Sequence, residues 1–190
     1  MNNLETDHRP DFVLAHERYA GIRGIAFAET LRVARRVGLA TEAAALRPIT
    51  TQTIDAYRLQ WGRSRRHWTG FGGWDWEMLF RRYCRKPRAF HTAVWAGDTL
   101  CGLCVGRVCR SRSHIMVPFM ESSPDPGHPL RGTITPLVLD ACRNYALAIG
   151  VERILLKNPL EGVQERYTRF GFRLACTRGG NVYFESRCTH

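Results

Sequence analysis

The chain has 190 residues, enough for one well-packed domain with a terminal extension and not comfortably for two. Apolar residues make up 44% and charged residues 24%, the balance of a globular protein, and no apolar run approaches the roughly 18 residues a membrane span needs. The formal net charge of +11 is almost all arginine, Lys86 and Lys157 being the only lysines; this suits either a solvated surface or a polyanionic partner such as RNA.

The opening from Met1 to Asp11 is polar and mixed in charge, unlike a secretory signal, so a cytoplasmic location is expected. From about residue 13 to 37, Tyr19, Ile22, Ile25 or Ala26, Leu31 or Val33, and Val37 recur at helical spacing, and Gly38 supplies a stop. Gly21 and Gly24 interrupt that helix, implying a closely packed neighbour or an irregular turn. A lone helix of this length is marginal in water, so its apolar stripe should pack on the rest of the chain or form a homodimer contact. Residues 1–42 are therefore expected to be an N-terminal helical extension and 43–190 the main domain. A second helix is predicted from Ile54 to Trp61, capped by Thr50, Thr51 or Thr53. The Gly70 to Gly73 stretch and Pro87 bound a third, from Trp74 to Arg85.

Strands follow. Arg88 to Trp95 is β-rich, Ala96-Gly97-Asp98-Thr99 is a hairpin turn, and the return strand runs from Leu100 to Val108. A further strand covers His114 to Met120, and Glu121 to Arg131, with Pro124, Pro126 and Pro129, reads as a loop. An amphipathic helix then carries Ile134, Leu137, Val138, Ala141, Tyr145 and Ala148 on one side and ends at Gly150. Val151 to Lys157 has a buried-strand pattern, and a short helix from Glu161 to Phe170 leads into a last hairpin. That hairpin joins Phe172 to Thr177 with Asn181 to Ser186 through Gly179-Gly180. The order predicts an α+β fold: a mixed, mostly antiparallel sheet, helices on both faces, and a parallel crossover from His114 to Lys157.

The odd count of seven cysteines suits reduced thiols. Cys101-x-x-Cys104 has the spacing of metal ligands, but on a strand residues three apart face opposite ways, and no second pair follows. Small buried hydrophobes are expected there, and no metal site.

Three pieces carry the chemistry. Pro118 falls inside an apolar strand, where it removes a ladder hydrogen bond; a bulge or splay would free backbone groups for a ligand, and an edge strand is the alternative. Next, the run His128-Pro129-Leu130-Arg131-Gly132-Thr133-Ile134-Thr135-Pro136 opens a helix. Pro136 must lie in its first turn, so Thr133 or Thr135 is the cap; free N–H groups beside Arg131 would form a phosphate cradle, with an ordinary capped helix and a turn glycine as the alternative. The third piece is Tyr167-Thr168-Arg169-Phe170-Gly171-Phe172, between the last helix and the next strand.

Together these pieces resemble the GNAT superfamily of N-acetyltransferases over about residues 43 to 186, with Tyr167 to Phe172 matching that family's Y-x-x-x-G-F. The resemblance implies a GNAT-like sheet with a splayed central strand pair and acetyl-CoA as co-substrate. The pantetheine arm would pair with backbone near Phe119 and Met120. The pyrophosphate would sit on Arg131, Gly132, Thr133 and Thr135. The family's loop has the form R/Q-x-x-G-x-G/A; here Thr133 and Thr135 stand at its glycine positions and Leu130 at its basic one, with Arg131 and Gly132 displaced by one. Leu160 stands where the family often carries an asparagine, and Asn158 is a candidate substitute.

The implied reaction is direct transfer of an acetyl or other acyl group to an amine. Tyr167 would protonate the leaving thiolate and Glu121 would remove the amine proton, with Glu77 and Asp75 as weaker candidates. Trp61, Trp68, Phe71, Trp74 and Trp76 would line the acceptor site or pack as core. Two other functions stay open: a catalytically silent GNAT-fold binding or regulatory protein, and an acyltransferase or binder acting on RNA. For the latter the densest basic run is Arg63, Arg65, Arg66 and His67, then Arg81, Arg82, Arg85 and Lys86.

Overall fold

The computed structural model of the chain describes residues 9–62, 73–159 and 161–188. The basic run at residues 63–67, Trp68, Phe71 and Leu160 lie outside the described residues. Among the described residues the strands are β1 (Ala44–Arg47), β2 (Phe90–Ala96), β3 (Thr99–Val108), β4 (Ile115–Ser122), β5 (Arg153–Lys157), β6 (Arg173–Arg178) and β7 (Asn181–Arg187). They form one sheet in the order β1-β2-β3-β4-β5-β7-β6, in which β4 and β5 are parallel and every other pair is antiparallel. β1, only four residues long, has no period of its own in the sequence and exists by pairing with β2.

Helices cover both faces. On one, α4 (Ile134–Ala148) lies across the sheet and α1 (Arg9–Arg36) packs along α4, so that Ala26, Phe27 and Ala34 share a core with Leu137, Val138 and Tyr145. Polar bonds tie α1 down as well: Asn144 donates to Thr30 Oγ1 (2.9 Å), and Arg23 donates to the carbonyls of Pro87 (2.8 Å) and Ala89 (3.0 Å). Tyr19, Ile22, Ala26, Phe27, Leu31 and Ala34 of α1 are thus covered within the chain, while Phe12, Val13, Leu14, Ile25 and Val33 stay exposed. A Cβ at Gly21 or Gly24 would meet nothing within 4 Å, and the helix is continuous through both, so neither a close neighbour nor an irregular turn explains them.

The other face holds α2 (Thr51–Trp61) and α3 (Trp76–Leu79), the latter continuing as a π turn over Phe80–Cys84. Thr50 caps α2 in a reciprocal capping box with Thr53, resolving the three-way choice. Trp61, Trp76 and Leu79 are buried against Leu100, Leu103 and Val105, and the Trp61 indole donates to the Leu100 carbonyl (2.9 Å). Burying each such side chain stabilises the fold by about 1.5–3 kcal/mol. The predicted Trp74–Arg85 helix is therefore shorter, and Asp75 is its N-cap, accepting from the Met78 N–H (2.9 Å).

The strand-face reasoning for Cys101 and Cys104 needs correction. Register with β2 passes from Val94↔Gly102 to Trp95↔Leu100, so Cys101 is an extra residue in β3. That bulge resets the alternation and puts both thiols, fully buried, in the core beneath α4.

Candidate functional site

The opening in the sheet starts at Pro118. β4 pairs with β5 through Ile115↔Ile154, Met116↔Leu155 and Val117↔Leu156, and the pairing stops there. Across β4, register with β3 passes from Val105↔Phe119 to Arg107↔Met116, leaving Val117 and Pro118 opposite Gly106 alone. β4 is thus a central strand with a bulge at its proline, not an edge strand. Past the bulge, Phe119 to Ser122 keep β3 as a partner but face no strand on the β5 side among the described residues. β5 ends at Lys157, and Asn158 turns the chain away with φ 50°. The Asn158 amide group is committed to the neighbouring hairpin: Nδ2 donates to Asn181 Oδ1 and Oδ1 accepts from the Val182 N–H, each at 2.8 Å.

The start of α4 lies close against β3. A Cβ on Gly102 would come within 2.5 Å of Ile134 Cγ2, so glycine there lets the first residue of the helix sit on the sheet. His128 holds the preceding loop to the end of β4 through a 3.0 Å hydrogen bond with Ser122 Oγ. Gly132 has φ +85°, a conformation open to glycine at little cost, and turns the loop into the helix. Thr133 is the cap position but makes no side-chain cap; its hydroxyl donates back to the Leu130 carbonyl (2.8 Å). The N–H groups of Gly132, Ile134 and Thr135 have no partner among the described residues, and Pro136 sits in the first turn as predicted. Leu130 is buried, and exposed Arg131 points back to the Pro126 carbonyl (3.2 Å).

The cation nearest the turn comes from elsewhere. Arg166, on α5 (Glu161–Arg169), donates through Nη2 to the Gly132 carbonyl at 2.5 Å. In sequence it is one more arginine on a polar helix; only its bond to the Gly132 carbonyl marks it. One residue on, Tyr167 packs against the core beneath α4, its ring 6.2 Å from that of Phe172 in an edge-on arrangement. Burial pushes its phenol up to about 12, with the neighbouring Cys104 thiol adding and Arg166 opposing. Its hydroxyl has no hydrogen-bond partner among the described residues.

Glu121 lies within β4, opposite Leu103, and not in the loop assigned from its prolines. The side chain is buried, with Oε1 accepting from the Gly73 N–H and Oε2 from the Trp76 indole, each at 2.6 Å. Of the other carboxylates, Asp75 caps α3 and Glu77 is bound on both oxygens by Arg58, at 2.9 and 2.6 Å. Trp61 and Trp76 are core residues. Trp74 is 40% exposed and stacks edge-on against Phe119 (4.9 Å between centroids), whose other neighbour is Tyr83 (5.9 Å). One open strand thus carries backbone groups, an aromatic wall and a buried carboxylate, with a helix N-terminus, an arginine and a phenol nearby.

No protein-family model matches this chain, and no curated protein matches it in sequence. Solved structures do match. Ard1 from Thermoplasma volcanium superposes with a TM-score of 0.56 at 13% identity, over 78% of this chain and 99% of its own. The ribosomal-protein-S18-alanine N-acetyltransferase of Escherichia coli gives 0.57 at 12% identity, over 77% and 95%. The PaiA N-acetyltransferase of Thermoplasma acidophilum, solved in complex with coenzyme A, gives 0.50 at 13%, over 76% and 98%. At these identities the likeness concerns the fold. The chain carries the α+β fold of the GNAT acetyltransferases.

Proposed function

We propose that this protein is an N-acyltransferase that moves an acetyl or other acyl group from CoA directly to an amine. The observation that carries the proposal is the end of β4–β5 pairing at Val117 and Leu156, in a strand that continues to Ser122. A strand edge opened inside a sheet is unsatisfied unless something pairs with it, and an amide-bearing pantetheine arm is chemically suited to do so.

The residues present fit such a substrate. Phe119 and Met120 offer main-chain groups to the arm. The free N–H groups of Gly132, Ile134 and Thr135 stand at the positive end of α4, with the Arg166 and Arg131 guanidiniums at hand for phosphate. Thr133 shapes the turn through its bond to Leu130, and Asn158 fixes where β5 leaves the sheet. The amine nitrogen attacks the thioester carbonyl carbon and the carbon–sulfur bond breaks. Glu121 receives the proton the amine sheds, through a bridging water, because both its oxygens already accept from Gly73 and Trp76. Tyr167 donates its phenolic proton to the departing sulfur, and a phenol raised to about 12 keeps that proton throughout the neutral range.

Calorimetry with acetyl-CoA, followed by an assay for free thiol with a panel of amines, tests this. Binding together with amine-dependent thiol release is expected. Binding without release by any amine would leave a binding protein, and no thermal shift at millimolar CoA would end the CoA reading altogether.

A further inference from the structure

At the end of β4 and β5 opposite the opening, arginines form a row across the sheet. Arg112 lies in the turn before β4, Arg153 opens β5, Arg187 ends β7, and Arg173 opens β6. These strands are successive neighbours, and Arg143 on α4 stands beside the row. Two depressions of about 730 and 380 Å³ lie along it, with Arg187 on the wall of both, and together they are called the groove below.

The charge arrangement is costly for the chain alone. Arg153 and Arg187 are direct cross-strand partners, a like-charge pair that destabilises a sheet. Glu185 answers Arg153 (3.8 Å) and Arg173 (3.4 Å), and Asp140 answers Arg143 (2.7 Å). Arg112 and Arg187 have no carboxylate partner among the described residues. The imidazole of His114 beside them is held below its ordinary range, chiefly by burial and then by Arg153 and Arg107. Arg187 thus stands beside Arg153 without a carboxylate of its own, on the wall of a depression that Glu152 also lines, and an anion there would answer it.

We infer that this groove binds the phosphate backbone of a nucleic acid. Three strand spacings make the row ~14 Å long, more than one phosphate needs and enough for successive phosphates of one strand. Guanidinium forks suit phosphate oxygens, so the recognition is of backbone and independent of sequence. The lining has one apolar side chain, Phe170, where a membrane surface would need several anchors. The site is separate from the β4–β5 opening and does not depend on the acyl-transfer reading. It also lies away from the basic residues Arg81 to Lys86 that the sequence singles out.

The test is fluorescence anisotropy of the full chain with a labelled single-stranded RNA of ~20 nucleotides and with a duplex DNA of equal length, across a salt series. Arg112→Gln/Arg187→Gln is compared with Arg82→Gln/Arg85→Gln, which removes the same charge from the α3 region. The groove variant should bind at least one of the two nucleic acids about tenfold more weakly and lose about 1.4 from the salt slope on RNA, and the control should change less than about twofold. Losing the like-charge pair should leave the groove variant folded, and its melting curve checks this. Equal losses in the two variants would reduce the effect to diffuse charge and overturn the proposal. So would an unaffected groove variant, no binding by the wild type at low salt, or the same arginine dependence on anionic lipid vesicles with no binding of either nucleic acid.

Discussion

The two ends of the β4–β5 pair are opposites. At one end the backbone is left without a partner: pairing stops at Val117 and Leu156, and a helix start with free N–H groups stands beside the gap. At the other end Arg153 is in register with Arg187, and Arg187 has no carboxylate partner among the described residues. Hydrogen-bonding groups unsatisfied in a sheet call for a ligand that continues the ladder, while facing guanidiniums call for an anion. The two proposed ligands thus differ in chemistry and share no residue, and variants at one end should leave the other end's ligand alone.

The largest effect expected is at Tyr167. Tyr167→Phe keeps the ring beside Phe172 and removes the proton, so turnover should fall about 10²-fold or more, while stability changes by about 1 kcal/mol. With the phenol raised to about 12, the wild-type rate should not decline on Tyr167's account until the pH approaches that value. A fully active Phe variant, measured where chemistry limits the rate, would reduce Tyr167 to a core aromatic. In that case Tyr167→Ala should unfold the protein.

Glu121→Gln comes next. A carboxamide can accept from Gly73 or from Trp76 but presents its own N–H₂ to the other donor, so about 1–3 kcal/mol of stability should be lost. Trp76→Asn or similar core changes would confuse the result, so the useful companion is Glu121→Asp, which keeps both acceptors on a shorter arm. If Glu121 handles the amine proton, Glu121→Asp retains more turnover than Glu121→Gln. Equal turnover in both, with only their melting temperatures apart, would assign Glu121 to holding Gly73 and Trp76 in place.

Arg166→Ala should weaken CoA binding about tenfold, on the scale of a charge-assisted hydrogen bond, and Arg131→Ala clearly less. Titration of CoA against pantetheine separates the two kinds of contact, since pantetheine lacks the phosphates and should bind both variants like the wild type. The reverse order, Arg131 above Arg166, would restore the loop as the source of the cation.

The element order was legible because each element had its own period or stop signal, as with the α4 stripe and the Gly179-Gly180 turn. Pro118 announced the bulge. What escaped depends on contacts far apart in the chain. The period of α1 was clear, but that it shares the core with Leu137 and Tyr145 was not. A proline-rich loop was drawn one strand-end too early, so the burial of Glu121 was missed. An extra residue at Cys101 undid an argument from alternation. Neither Arg166 beside Gly132 nor the row through Arg153 and Arg187 has any local mark, because sheet order brings together residues more than 30 positions apart.

The smallest expected effect is at the charged end, and it has the less usual sign. Arg187→Gln removes one member of the Arg153↔Arg187 pair and leaves Glu185 to Arg153 and Arg173. Like charges directly opposite in a sheet cost about 0.2–1 kcal/mol, so the variant should be more stable than the wild type by that order, most visibly at low salt where screening is weakest. Arg187→Glu should gain somewhat more, because it places a carboxylate opposite Arg153. Arg173→Gln, which removes a partner of Glu185, should gain nothing. Chemical denaturation at two ionic strengths reads all three. Should Arg187→Gln lose stability at low salt, the arginine row is balanced within the fold, and the groove has no unanswered charge to offer a ligand.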